Sequence, residues 1–335
     1  MRRSLVRVPC PLCANPDGAP VFEVRDWMFK ITDDRFVVQR CSNCGCGYVS
    51  PRPAEETLAR YYPREFYWSH EGATESISWD QVIAARTDQL EAKASTLAGV
   101  TPGRLLDIGA QKGDFLWYMQ QRGWQCTGVE IDNQVPNPMD QPIRYGDFLE
   151  LQFDEERFDA ITAWAVLEHV YRPAQFVEKA ARLLVPGGRL IALVTNFNSI
   201  QGRFLAADDY PRHLTLFTSK SIRDLAERNG LIVRRLWTDQ RIFGGSLNGA
   251  LVYMAKRMGG YSRDEALSEW RQIGDPLSFC AKWRGERSAT ILNLSRMDRA
   301  LTWLPERLLD ALGYGFILTF VLEKPLGRLR SRHAS

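Results

Sequence analysis

Long apolar runs are what this chain of 335 residues most clearly lacks. A membrane-spanning helix needs about 20 consecutive apolar residues. The longest apolar run here, Phe316 to Leu322, has the length of one buried strand. The first ten residues, MRRSLVRVPC, reach Cys10 without an apolar h-region, so no signal peptide is expected. Charge of one sign is scarce as well. The formal net charge is +3, with Lys and Arg mixed among Asp and Glu almost throughout. A nucleic-acid binder would carry a basic stripe with interleaved aromatics, so nucleic acid is disfavoured as a partner. Only the tail, with Lys324, Arg328, Arg330 and Arg332, leans positive, and it reads as a solvated end. Internal repeats and low-complexity segments are missing. Histidine is rare, at four residues. Together these absences predict a soluble, cytoplasmic chain without a transmembrane segment. Its 45% hydrophobic and 25% charged content is ordinary for a globular protein, and its length allows one large domain plus a small module.

Cysteine, by contrast, is patterned. Cys10-Pro11-Leu12-Cys13 and Cys41-Ser42-Asn43-Cys44 are two CxxC knuckles separated by a β-rich stretch with a turn at Asp33-Asp34. Each knuckle lets two thiolates converge, and a hairpin brings the pairs together. Four sulfurs in a tetrahedron suit structural Zn2+ and leave no open position for chemistry. Residues 1–53 are therefore expected to form a zinc ribbon ligated by Cys10, Cys13, Cys41 and Cys44. So short a segment has little core of its own, and the metal would supply folding energy. Cys46 has two readings, a spare buried thiol or a substitute ligand. Cys126 and Cys280 read as core residues. A redox role for the knuckles is less suited, because neither opens a helix after a strand. Residues 54–99 read as a linker, with a short helix from Ala54, an aromatic cluster (Tyr61, Tyr62, Phe66, Tyr67, Trp68) and a polar helix over 79–98, stopped by Gly99 and Pro102.

From Arg104 the pattern changes. RLLDIGAQKGDFLWYMQQRG reads as a buried strand, a glycine-containing loop and a helix closed by Gly123; WQCTGVEID is a second strand ending in acids. A strand, glycine turn and helix, followed about 20 residues later by an acidic strand end, is a dinucleotide-type βαβ unit. Glycines at 109 and 113 let backbone approach a ligand, while the carboxylate of Glu130 can take both hydroxyls of a ribose. RYGDFLEL, FDAITAWAVLEHV and LLVPGGRLIALVTN follow in order.

Over about Arg104 to Trp237 this resembles the class I S-adenosylmethionine-dependent methyltransferases. Asp107, Gly109 and Gly113 match the first motif, Glu130 the ribose acid, and Asp147 with Phe148 the adenine turn. Phe158-Asp159 opens the fourth strand, and Pro186-Gly187-Gly188 precedes the fifth. The resemblance implies a doubly wound, seven-stranded Rossmann-like sheet over 100–243. It also implies S-adenosyl-L-methionine bound by Asp107, Gly109, Ala110, Gly113, Glu130, Ile131, Asp147 and Phe148. Trp164 has two readings, beside the cofactor or an ordinary core aromatic. One position departs from the pattern, Gln111, where the family usually has glycine. A side chain there must point away from the methionine part of the cofactor or contact it.

The methyl group of a sulfonium is already activated, so the protein's task is to align a nucleophile in line with the S–CH3 bond and exclude water. An oxygen nucleophile also needs a proton removed, a role suited to histidine. His169, just past the fourth strand, and His213, in DDYPRHLTLFTSKSIRDL, are the candidate general bases; each has the alternative of merely fixing a loop. His70 and His333 have no supporting context. The expected function is methyl transfer to a small molecule, sugar or glycan precursor. Two rival readings are a protein or RNA methyltransferase docking through the ribbon, and a catalytically silent scaffold, for which Gln111 is the only support.

LIVRRLW reads as the sixth strand; the resemblance implies a seventh running antiparallel beside it, for which GFILTFVLEKP, within 313–335, is the best candidate, making 244–312 a helical insertion. Ile291, Leu294, Met297, Leu301, Leu304 and Leu308 recur three or four apart on one helical face. Three readings of this stripe stay open: packing on the sheet, a homodimer contact, or peripheral membrane contact, although its mixed charges suit the last poorly. Pro305 is expected to start a new helix after a break.

Overall fold

The computed structural model describes residues 5–62, 79–200, 202–203, 208–239, 241–242, 250–262, 265–266 and 289–326. Phe66, Tyr67, Trp68, His70, Cys280 and His333, much of the insertion and the end of the basic tail lie outside the described residues.

Thirteen strands follow in chain order. The N-terminal module contributes β1 (Leu5–Val6), β2 (Gly18–Val24), β3 (Phe36–Cys41), β4 (Gly47–Val49) and β5 (Arg52–Pro53). Then come β6 (Arg104–Ile108), β7 (Gln125–Glu130), β8 (Ile143–Tyr145), β9 (Phe158–Trp164), β10 (Leu184–Thr195), β11 (Thr215–Leu216), β12 (Ile232–Thr238) and β13 (Ile317–Glu323). The helices are α1 (Glu55–Leu58), α2 (Trp79–Ser95), α3 (Asp114–Gln120), α4 (Pro173–Leu183), α5 (Ser219–Arg228), α6 (Ala250–Met258) and α7 (Ala289–Ala311).

Seven strands form one sheet in the order β12-β13-β10-β9-β6-β7-β8. All run parallel except β13, which is antiparallel to both neighbours. The expected Rossmann-like sheet is thus present, and β13, whose seven residues are all buried, is the antiparallel seventh strand. The strands' apolar runs reflect cover on both faces. On one face Leu90, Phe115, Leu116 and Met119 of α2 and α3 pack on Leu105, Ala160 and Ile191. On the other, Phe176, Val177, Ile222 and Leu225 of α4 and α5 pack on Leu106, Ile161 and Leu190. Local chemistry starts these helices. Pro173 sits in the first turn of α4, and Thr218 caps α5 in a reciprocal capping box with Ser221.

The ribbon does not stand apart from this core. Its sheet runs β11-β4-β3-β2, so its edge strand, Thr215–Leu216, comes from a segment more than 150 residues further along the chain. Cys10, Leu12 and Tyr48 belong to the same apolar cluster as α4 and α5. The Arg228 guanidinium donates to the Leu12 carbonyl at 2.6 Å. The deepest tie is Arg212, a fully buried side chain. Its guanidinium donates to Asp26 at 2.8 and 3.3 Å, to Asp209 at 2.6 Å, and to the Tyr61 and Tyr210 carbonyls at 2.9 and 3.1 Å. Removing one partner of so buried a pair strands the other charge, at a cost of about 3–5 kcal/mol. Arg212→Met should therefore lower the urea midpoint steeply; a midpoint within error of the parent's would show that the pair adds nothing to the fold.

The insertion corrects two expectations. Helix α7 runs unbroken through Pro305. Proline there forfeits a hydrogen bond to Leu301, but both residues are on the exposed side, where water can serve that carbonyl. The apolar stripe is helical, yet it does not pack on the sheet: Met297, Leu301, Leu304 and Leu308 are 56–61% exposed. Thr302 and Glu306 form the buried side instead. The side chains of Ile291 and Leu294 lie outside the described residues.

Candidate functional site

Strand β6 lies between β9 and β7, where the strand order reverses direction, and open α/β sheets bind ligands beyond the strand ends at such a switch point. The chain leaves β6 through Gly109 and enters α3 through Gly113, at φ 76° and 80°. Side chains disfavour this left-handed region. At Gly109 space is restrictive too, because a Cβ would come within 2.5 Å of Val166. Gln111 adopts the same hand, at φ 47°. Its side chain is exposed, and its N–H donates to Glu130 Oε2 at 2.9 Å. The loop thus keeps the backbone form of a glycine while carrying glutamine, at a strain of about 1–2 kcal/mol. Gln111→Gly should stabilise the protein by about 1 kcal/mol, net of the freedom glycine adds to the unfolded chain. A urea midpoint that stays level or falls would contradict this account.

Glu130 ends β7 and is 8% exposed. Its carboxylate accepts the Gln111 N–H on one oxygen, and the Ile131 and Asp132 N–H groups on the other at 2.8 and 3.4 Å. Burial raises its pKa, and the three backbone donors only partly offset this. The Gly146 N–H donates to the Glu130 carbonyl at 2.8 Å, joining the tips of β7 and β8. Asp147 follows directly. One of its oxygens takes the Leu149 N–H at 2.8 Å, and the other lies 3.5 Å from Arg172. Gly109, Glu130 and Asp147 are therefore brought to one rim.

The remaining expected cofactor residues divide by depth. Ile131 is 69% exposed on the loop after β7. Ala110 is buried, its N–H bonded to the Val129 carbonyl. Phe148 is buried against Phe153 and Phe176, so only its backbone borders the rim. Asp107 sits inside the sheet, accepting the Thr162 hydroxyl at 2.5 Å, and burial pushes its pKa up to about 7. Trp164 packs edge-on against Phe115 in the core, while its buried indole N–H has no acceptor among the described residues.

The two histidines come together beyond β9. His169 is half-buried, and its Nδ1 lies 3.0 Å from the Tyr62 hydroxyl. His213 is buried, its ring centroid 4.4 Å from that of His169, with Nδ1 2.5 Å from an Asp208 oxygen. Burial alone would lower the His213 pKa; the Asp208 carboxylate outweighs it and the net shift is upward. Beneath them is Glu168, fully buried. Its carbonyl accepts both the Leu214 and Thr215 N–H groups, which clamps the His169 and His213 loops together. Asp208 and Tyr62 carry roles that sequence reasoning missed. Asp208 stands five residues before His213, a readable signal. Tyr62 is 107 residues from His169 and offered none.

At the other end of the module the four expected thiols meet. One sulfur from each of Cys10, Cys13, Cys41 and Cys44 lies within 4.8 Å of the others. Cys10–Cys44 and Cys13–Cys41 are 3.6 and 3.5 Å apart. Zinc–sulfur bonds of about 2.3 Å in a tetrahedron put sulfurs about 3.8 Å apart, so the group fits the metal. Cys46 is fully buried, 3.4 Å from Cys10 and 3.5 Å from Cys44. It is not part of the four-sulfur group.

The sheet order, the glycine loop and the acid at the tip of β7 define a Rossmann-like sheet with a nucleoside-type cleft at its switch point. Residues 81–236 match the methyltransferase domain family. A ubiquinone biosynthesis O-methyltransferase of Alkalilimnicola ehrlichii is 34% identical over 120 residues, covering 33% of this chain and 49% of that protein. The 27-O-demethylrifamycin SV methyltransferase of Amycolatopsis mediterranei is 31% identical over 136 residues, covering 37% and 47%. The chain thus spans about half the length of these relatives. Among solved structures, a phosphoethanolamine N-methyltransferase of Haemonchus contortus in complex with S-adenosyl-L-methionine aligns with a TM-score of 0.46 at 15% identity, covering 91% of this chain and 71% of that one. Over residues 81–236, a little under half of its length, the chain is thus similar to methyltransferases. Among the described residues, no helix is long and apolar enough to cross a membrane.

Proposed function

We propose that the chain methylates a hydroxyl of a small-molecule or glycan-type acceptor, using S-adenosyl-L-methionine held at the tips of β6, β7 and β8. When bound, the cofactor supplies a methyl group already activated on sulfonium sulfur. The residues fit it. Glu130 can accept from the ribose hydroxyls, the turn at Asp147-Phe148 can border the base, the left-handed loop from Gly109 to Gly113 allows close backbone approach, and the Trp164 N–H has no acceptor among the described residues. What remains is to position an acceptor and take its proton. The observation that carries the oxygen reading is the pair His169 and His213, in contact with each other. His213 is turned by Asp208 as a catalytic imidazole is turned by its carboxylate. An amine acceptor attacks through a lone pair and needs no such oriented base beforehand. One of the relatives named above is called an O-methyltransferase.

We further infer Zn2+ at Cys10, Cys13, Cys41 and Cys44, as a structural ion for residues 1–53. Cys46 lies outside the four-sulfur group and is read as a spare thiol beside the site. The outward apolar stripe of α7 fits a homodimer contact better than a membrane surface, because charges of both signs flank it. The cytoplasm remains the proposed location.

The decisive experiment is a turnover screen of the full chain with S-adenosyl-L-methionine against phenols, catechols, sugars and lipid-linked glycans. Each reaction is followed by S-adenosylhomocysteine release and by a mass gain of one methylene on the acceptor. An oxygen-methylated product is expected. Methylation confined to amines, or cofactor binding with no acceptor turned over, would count against this reading.

A further inference from the structure

We propose that Glu168, His169 and His213 hold a divalent first-row transition-metal ion at the acceptor end of the cleft, a site separate from the thiolate cluster. The inference rests on the reading that the acceptor hydroxyl enters there, and it deepens that reading. With the ion in place the two histidines are ligands, and activation of the hydroxyl passes from a base to the ion.

Geometry carries the case. One ligand atom from each of the three residues lies within 4.8 Å of the others. Glu168 is fully buried, and neither carboxylate oxygen has a hydrogen-bond partner of good geometry among the described residues, although backbone of Glu168 itself and Thr195 lies near. A buried carboxylate without donors is costly enough to demand a reason. Its neighbours supply one. Both imidazoles are oriented through Nδ1, His169 by the Tyr62 hydroxyl and His213 by Asp208. A metal-bound histidine is oriented in this way, with an oxygen behind the ring and Nε2 turned to the ion.

Charge points in the same direction. Among the described residues, four buried carboxylates gather here: Asp26, Asp208, Asp209 and Glu168. Arg212 is shared by Asp26 and Asp209, and His213 faces Asp208. Glu168 faces His213 too, so one imidazole is shared between two buried carboxylates. A divalent ion balances Glu168 and removes the need to protonate either imidazole of a contacting pair. The site is also preorganised, because the Glu168 carbonyl ties its own loop to that of His213 through the N–H groups of Leu214 and Thr215. Two imidazoles and a carboxylate, with no thiolate, suit Mn2+, Fe2+ or Zn2+ and leave positions open for an acceptor oxygen. Such an ion lowers the pKa of a bound hydroxyl without a proton-accepting side chain.

The test uses the full chain, supplied with one equivalent of Zn2+ per chain, which the four thiolates take in preference to the imidazole and carboxylate site, and then desalted. Mn2+ is the probe, because thiolates bind it poorly. Loss of the free-ion electron paramagnetic resonance signal is titrated for the parent, for Glu168→Gln, and for the exposed control Glu178→Gln. The parent and the control should each bind one Mn2+ per chain, and Glu168→Gln should bind it more than about a hundredfold more weakly. Unfolding curves accompany each titration; should Glu168→Gln fail to fold, His169→Gln takes its place. No binding by the parent, or equal binding by the folded ligand variant, overturns the proposal. Turnover separates the two readings. Hydroxyl methylation without a Mn2+ site sinks the metal and keeps the function, whereas a Mn2+ site without methylation does the reverse.

Discussion

Alanine at Glu130 should weaken binding of S-adenosyl-L-methionine about a hundredfold, the loss expected when a charged acceptor of two hydrogen bonds is deleted from a buried site. The carboxylate does two jobs at once. It closes β7 against the loop after β6 by accepting the Gln111 N–H, and it presents acceptor capacity to the cleft. Its removal would therefore lose the proposed ribose contact and free a loop whose central residue is already strained at φ 47°. Glu130→Gln keeps one carbonyl oxygen but turns an NH2 toward backbone N–H groups, so it should fall between the parent and alanine. Asp147→Ala should cost less, about tenfold, because that side chain is 30% exposed and already engaged by Leu149 and Arg172. Calorimetric titration of the cofactor gives all three constants. An unchanged constant for Glu130→Ala would remove the acid at the tip of β7 from the site.

How much of this was legible beforehand depends on the range of the interaction concerned. The glycine loop, the acid at the end of β7 and the thiol quartet were readable because each is encoded within a few residues, or in a spacing that secondary structure turns into proximity. The last strand was readable as one short buried run, Phe316 to Leu322, while its antiparallel direction came from the family resemblance. The partners of the site were not. Asp26 and Arg212 are 186 residues apart and follow no period. A two-residue strand such as Thr215–Leu216 has no alternation to detect, so the sharing of the ribbon sheet could not be anticipated. Gln111 looked like a defect because the sequence shows its side chain, whereas the requirement at that position is a backbone angle, which glutamine meets at a cost. The α7 stripe marks another limit. Periodicity showed that Met297, Leu301, Leu304 and Leu308 share a face, but not that Thr302 and Glu306 would be the side turned inward.

Cys41→Ser should abolish methyl transfer, by about a hundredfold or more, while cofactor affinity changes by less than about threefold. The first half follows from how residues 5–53 support the acceptor side. Cys41 closes β3, and with the proposed Zn2+ in place the loss of one of the four thiolates would remove metal-binding energy that a segment with so small a core needs to fold. The consequences run directly to the histidines. Strand β4 pairs with Thr215–Leu216, Asp26 neutralises Arg212, and the Trp27 indole N–H donates to the Asp208 carbonyl at 2.9 Å. Those three contacts hold the segment 208–216 from the ribbon side, and that segment carries both His213 and the carboxylate that orients it. Once the ribbon loosens, His213 loses its fixed tautomer and its register with His169, and misplacement of about 1 Å is enough to cost a hundredfold. The second half follows from what the ribbon does not touch. The hydrogen bonds of Gly109, Gln111 and Glu130 are made to one another and to β7 and β8, with none to residues 5–53. Zinc content, cofactor affinity and turnover measured on one preparation separate the two halves. If affinity collapses together with turnover, the ribbon supports the whole sheet rather than the acceptor loop.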